Sequence, residues 1–170
     1  MTAKLKRGIT KVKDPGSALT HFIAMILAII AAIPLLSKAG HDSGHMRISA
    51  LAIFILSMIG LYAASTIYHT LDISPKINKL LRKIDHMMIF ILIAGTYTPV
   101  CMIVLGDRTG WTLLTLVWGI AIVGILINAL WITCPKWFSS LIYIAMGWVC
   151  ILAITKILSS LPKAGFMWLL

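Results

Sequence analysis

Long runs of apolar residues separated by short polar stretches organise this chain: Ala18 to Leu36, Ile48 to His69, Asp85 to Leu105, Trp111 to Ile132 and Trp137 to Leu158. A helix rises about 1.5 Å per residue, so roughly twenty residues cross the ~30 Å hydrocarbon layer of a bilayer. Each run is about that long. Inside that layer every backbone polar group must be satisfied by the protein itself, which leaves helices or a closed barrel. Barrel strands would show segments of about ten residues with alternating character, whereas these runs are uniformly apolar. The pattern predicts an all-α fold, a polytopic transmembrane helical bundle in one domain over residues 1–170, with five complete helices and the start of a sixth at Phe166. The connections Gly106-Asp107-Arg108-Thr109-Gly110 and Cys134-Pro135-Lys136 are short, and Pro15-Gly16-Ser17 precedes the first helix, so consecutive helices should be antiparallel neighbours.

The stretch between the second and third runs carries its own signal. Ser74-Pro75 suits a helix cap and first-turn pair, and Ile77, Leu80, Leu81 and Ile84 then alternate with Lys76, Lys79 and Lys83. This predicts a short amphipathic helix at the membrane surface, ahead of the third span.

Composition agrees with a membrane chain: 60% of residues are hydrophobic and 12% are charged, against about 25% charged in soluble domains. The apolar run behind the basic amino end extends to Leu36, longer than a signal peptide requires, and reads as a retained membrane helix. A net charge of +10 could suggest nucleic acid, but the basic residues sit between the apolar runs, as Lys4, Lys6, Arg7, Lys11 and Lys13 and then Lys76, Lys79, Arg82 and Lys83. That placement fits the anionic inner face of a membrane and argues against a nucleic-acid partner. Lys and Arg concentrate before the first helix, between helices two and three and at Lys136, with fewer at Lys38, Arg47, Arg108 and Lys163 on the other side. The bias places the amino terminus in the cytoplasm of a multi-pass inner-membrane protein, with Trp111, Trp137 and Trp168 near the interfaces. Cys101, Cys134 and Cys150 form no CxxC pair and indicate neither a disulfide framework nor a thiolate site.

Against this apolar background, polar groups on membrane helices mark candidate chemistry, because burying them costs several kcal/mol, roughly, unless they are paired or metal-bound. Ser65-Thr66-Ile67-Tyr68-His69 closes the second run and Arg82-Lys83-Ile84-Asp85-His86 opens the third. Ser65 and His69 are four apart and share one helix face, with Tyr62 near the same stripe. An imidazole, a hydroxyl and a carboxylate at similar depth could hold zinc and orient its water, with His69 the securely placed ligand and His86 a spare imidazole facing away from Asp85. The competing reading is a structural network, in which Ser65 bonds its own helix and Asp85 pairs with Arg82 or Lys83. No GxSxG elbow surrounds Ser65, which disfavours a serine hydrolase. His41 and His45 form a weaker metal candidate, because the neighbouring Asp, Ser and Gly predict an exposed turn. The Ala94-Gly95-Thr96-Tyr97-Thr98-Pro99 segment reads as architecture, Asn128 as interhelical glue and Lys156 as a snorkelling cation.

Residues 62–99, YAASTIYHT followed by LLRKIDHMMIFILIAGTYTP, resemble the signature region of the hemolysin III family, within the superfamily that includes progestin and adiponectin receptors. The resemblance extends from about Pro15, with Thr20-His21 matching a first-helix motif. It implies seven transmembrane helices, a cytoplasmic amino terminus and a zinc site near the cytoplasmic leaflet. His69 would be a ligand, Asp85 would hold the zinc-bound water, Ser65 would support it, and His86 belongs to the motif without being a ligand. Two further ligands would come from an HxxxH motif on a final helix. No histidine follows His86, so the expectation is a chain lacking its carboxyl-terminal part. The function implied is a zinc-dependent hydrolase-type site for a lipid-like amide or ester held in the bilayer. A pore-forming, cytolytic role and a ligand sensor with a structural metal are the alternatives. Polar groups clustered near one leaflet favour a one-sided site over a lumen.

Charge bias fixes a first test. Reporter fusions near Lys76 and near Asp107 are expected to report opposite sides of the membrane, with Lys76 in the cytoplasm; an external Lys76 would overturn the orientation.

Overall fold

The computed structural model describes residues 12–42, 44–131 and 135–161, together with 164, 165 and 167. Helices α1 (Pro15–Asp42), α2 (His45–Thr70), α3 (Pro75–Pro99) and α4 (Arg108–Leu130) are followed by α5 (Lys136–Trp148), a 3₁₀ stretch (Val149–Ala153) and α6 (Ile154–Ser160). A π-helical segment, Val100–Leu105, prolongs α3. Among the described residues five spans, Pro15–Gly40, His45–Thr70, Pro75–Leu105, Arg108–Leu130 and Trp137–Ser160, are long and apolar enough to cross a membrane. The chain is an all-helical, multi-pass membrane protein. Phe166, Trp168, Cys134, Lys163 and the basic residues before Val12 lie outside the described residues.

Sequential neighbours pack on one another, α1 on α2, α2 on α3 and α3 on α4, and α5 closes against α3 and α4. One end of the bundle therefore carries the start of α1, the α2–α3 connection and the start of α5, and the opposite end carries the α1–α2 and α3–α4 connections.

The connection before the third span differs from expectation. Ser74 does cap a helix, its hydroxyl accepting from the Ile77 N–H at 3.3 Å with Pro75 in the first turn. That helix is not a separate surface element: it continues unbroken from Pro75 to Pro99. Nothing between Leu81 and Asp85 breaks a helix, since Leu, Arg, Lys and Ile all sustain the i→i−4 ladder. A span of 31 residues is about 46 Å long at helical rise, longer than the hydrocarbon layer, so the lysine-bearing first turns project beyond it.

In lipid, apolar side chains gain little by exchanging acyl chains for one another, so helices associate through close backbone approach and interhelical hydrogen bonds. On α1 the residues least exposed are Ala18, Ala28 and Ala39, spaced to lie along one stripe toward α2. Between α2 and α3 a Cβ at Gly95 would overlap the hydroxyl of Ser57, which is itself turned back to the Phe54 carbonyl at 2.7 Å. Between α3 and α4 the ring of Phe90 fills the notch left by Gly124. Phe90, Val117 and Met146 are fully buried and centre the core on α3, α4 and α5.

Hydrogen bonds to main-chain atoms fix the α3–α5 contact. The Tyr97 hydroxyl lies 2.8 and 2.9 Å from the Met146 and Gly147 carbonyls and accepts from the Cys150 N–H at 2.9 Å. It enters α5 just where the α-helix gives way to 3₁₀ geometry. Pro99, which has no N–H to offer, is followed by the π segment on the facing helix. The Ala94–Pro99 segment is thus architectural, as its small, hydroxyl and proline residues suggest. Asn128 donates to Ser139 at 3.0 Å across α4 and α5. Lys156 reaches the end of its span to bond Asp107, which caps α4, and Thr109. That lysine, with the Gly110 N–H, holds the Asp107 carboxyl below the usual carboxylate range.

The close approach at Gly95 gives a measurable consequence. Gly95→Ala should destabilise the bundle by about 1–3 kcal/mol, the usual effect of overpacking, because the added methyl meets Ser57 and the helix backbones must separate. Gly119→Ala, where a Cβ meets nothing within 4 Å, should be neutral or stabilising by up to about 1 kcal/mol from helix propensity. Unfolding in mixed micelles reads both, and equal stability of the two variants would contradict this packing.

Candidate functional site

The polar stripe on α2 is built as its spacing predicts, but it faces α1. The imidazole of His69 stacks on that of His21, with centroids 5.7 Å apart and planes inclined by 16°, and His21 also meets Tyr62 at 5.9 Å. Tyr62 and His69 thus both address the same residue of α1, and Ser65, between them on the stripe, is buried. His21 reaches this position because it lies one helical turn after Ala18 on the α1 face that packs against α2.

The carboxylate beside His69 is Asp14, whose Oδ2 lies 3.2 Å from His69 Nδ1. Asp14 is placed by its role in starting α1. Its carbonyl accepts from the Ala18 N–H at 3.0 Å, and the Ser17 hydroxyl donates to Oδ2 at 2.7 Å. The backbone just before α1 is in turn bound to the end of α2: the Asp14 N–H donates to the His69 carbonyl at 2.9 Å and the Lys13 N–H to the Thr70 carbonyl at 3.3 Å. The Lys13 ammonium stands 3.6 Å over the Tyr68 ring and donates to the Tyr68 carbonyl at 3.4 Å. The last carbonyls of a helix have no partners within it and carry partial negative charge, and this strap supplies both donors and a cation. Hydrogen bonds from Ser17 and, more weakly, the neighbouring His69 hold the Asp14 carboxyl below the usual carboxylate range.

Asp85 is half-buried on α3 and among the described residues makes no ion pair with His69, Arg82 or Lys83. The pairing expected of a structural network is therefore not formed, and Lys83 instead donates to the Ala129 carbonyl at the end of α4, at 3.0 Å. The His86 carbonyl accepts from the Tyr143 hydroxyl at 2.8 Å, tying α3 to α5. His45 opens α2, and its carbonyl accepts from Ser49; the side chain of His41 lies outside the described residues, and the weaker metal candidate with it.

No group of three His, Cys, Asp or Glu side chains comes together to hold a metal among the described residues. The implied zinc is matched in part only: His69, with the Asp14 carboxylate 3.2 Å from its Nδ1, has the arrangement usual for a ligating histidine, and among the described residues no group of three such side chains completes it. A groove of about 770 Å³ lies elsewhere, along α4 from Arg108 past Thr112 and Gly119 to Val123. It begins at the opposite end of the bundle from His69 and is mainly apolar, so it is not where the polar chemistry gathers.

Asp14 and Ser17 escape a reading that seeks polar residues inside apolar runs, because both precede the first run. The signal for them is the Asp-Pro-x-Ser order of residues 14–17, a helix-start pattern. His21 lies within the first apolar run but is marked as a candidate only through the first-helix resemblance.

The chain is 39% identical to Hemolysin-3 of Bacillus cereus over 171 aligned residues, covering 100% of this chain and 78% of that protein. It is 37% identical to the Hemolysin-3 homolog of Bacillus subtilis (strain 168) over 154 residues, covering 91% of this chain and 72% of the relative. No solved structure matches it. The family model described as Haemolysin-III related matches residues 9–170, which span α1 with its preceding strap, the Ser65–His69 stripe and all later helices, and so this chain belongs to the haemolysin-III related family of multi-pass membrane proteins.

Proposed function

We propose that this protein carries a hydrolase-type site for a lipid-like amide or ester, at the end of the bundle where α1 begins and α2 ends, near the cytoplasmic leaflet. The observation that carries the reading is the contact of His69 with Asp14 at 3.2 Å, on a stripe that also holds buried Ser65. An imidazole oriented by a carboxylate is the recurring unit of sites that bind a metal or move a proton. Its place at the end of membrane-spanning helices suits a substrate whose reactive bond sits at the level of lipid headgroups.

The described residues do not by themselves form a zinc site. Zinc is the cofactor that the resemblance implies, and when bound by His69 and further ligands it would supply a polarised water. The chain's own residues have separable tasks: His69 presents the imidazole, Asp85 serves as base or water-orienting group, and Ser65 supports the site from within the helix packing. His86 fixes α3 against α5 through its backbone.

A second reading, membrane perturbation, is favoured by the name Hemolysin-3 carried by the Bacillus cereus relative. One experiment separates the two. The full-length protein in lipid vesicles is incubated with a panel of lipid amides and esters, with and without chelator, while release of entrapped dye is followed. Hydrolysis should appear as chelator-sensitive fatty-acid release that falls about 10²–10⁴-fold in Asp85→Asn, the range for loss of a general base, and that is abolished in His69→Ala. Dye leakage that persists in Asp85→Asn without fatty-acid release would establish membrane perturbation. Neither signal would point to a ligand sensor.

A further inference from the structure

We infer that Asp14 is the positioning residue of His69: its carboxylate accepts the imidazole Nδ1–H, fixes the neutral ring as that tautomer and leaves Nε2 as the working nitrogen. This deepens the reading above and assigns a role to a residue outside every apolar run.

Several independent contacts hold Asp14 against His69. Its Oδ2 is shared between His69 Nδ1 at 3.2 Å and the Ser17 hydroxyl at 2.7 Å, so one oxygen position serves both partners. Its own N–H is bonded to the carbonyl of the same His69 at 2.9 Å, which sets the distance between the two residues through the main chain. From the other side the ring is held by the near-parallel face of His21 and the edge of Tyr68, whose centroid is 4.8 Å away. Lys13, a cation able to compete for the carboxylate, is directed to the Tyr68 ring and carbonyl. An ionised carboxylate accepts and cannot donate. A neutral ring in this place must therefore carry its proton on Nδ1, and the other nitrogen is the one with a lone pair. The same arrangement serves whether Nε2 meets a metal or a proton, so the inference holds without a metal in the site.

The nitrogen-15 spectrum of histidine-labelled protein in lipid nanodiscs tests this, with the His69 signals assigned by their loss in His69→Gln. In the wild type, neutral His69 should be the Nδ1–H tautomer. Asp14→Ser keeps a residue that caps helices well but is too short to reach the ring, so α1 stays folded. The Nδ1–H to Nε2–H ratio should drop about tenfold or more, the factor that a charge-assisted hydrogen bond supplies. Ser17→Ala removes the second partner of Oδ2 and should leave the tautomer unchanged. An Nε2–H ring in the wild type, or an unaltered ratio in Asp14→Ser, would overturn the assignment. The spectrum needs no turnover: a tautomer that shifts as described in a protein that releases no fatty acid would defeat the hydrolase reading and leave the role of Asp14 standing.

Discussion

Helices in a bilayer are not driven together by escape from water, and this bundle depends instead on how closely its backbones can approach. Gly95 against Ser57 sets the spacing of α2 and α3, and Gly124 against the Phe90 ring sets that of α3 and α4. Larger residues at either contact would push the helices apart and remove the dispersion contacts that hold Phe90, Val117 and Met146 in the core. The remaining attraction comes from side chains that reach main-chain atoms of another helix, such as Tyr97 into α5, Tyr143 to His86 and Lys83 to Ala129.

The same economy of polar groups shapes the site. Lys13, Asp14 and His69 are used at the end of α2 or on the α1–α2 seam, while the Thr66 hydroxyl bonds the Tyr62 carbonyl of its own helix. Asp14 starts α1, binds His69 and joins the strap that finishes α2. A single short segment therefore satisfies two helix ends and orients an imidazole. This ties any chemistry at His69 to the docking of α1, a helix whose other contacts are few and which otherwise presents Leu19, Leu27, Ile30 and Ile33 outward.

The relatives place the chain in a family and leave its chemistry to the residues. Matching across residues 9–170 includes the strap as well as the signature stripe, so the segment that holds His69 lies within the family's shared region. Asp85, singled out with His69 by the signature, stands on α3 while the stripe faces α1.

The sequence by itself determined the helical class, the five spans and the face shared by Tyr62, Ser65 and His69, because span length and helical periodicity are local properties. It also carried the Ser74-Pro75 cap and the architectural use of Ala94–Pro99. Only the tertiary structure decided that α5 opens around the Tyr97 hydroxyl and that the carboxylate at His69 is Asp14. That last contact joins residues 55 apart in the chain. Periodicity gives the direction a stripe faces relative to its own helix axis, but which neighbour fills that direction follows from small residues that let two backbones meet, and the alanine stripe of α1 brings α1, with Asp14 at its start, to the stripe that ends in His69.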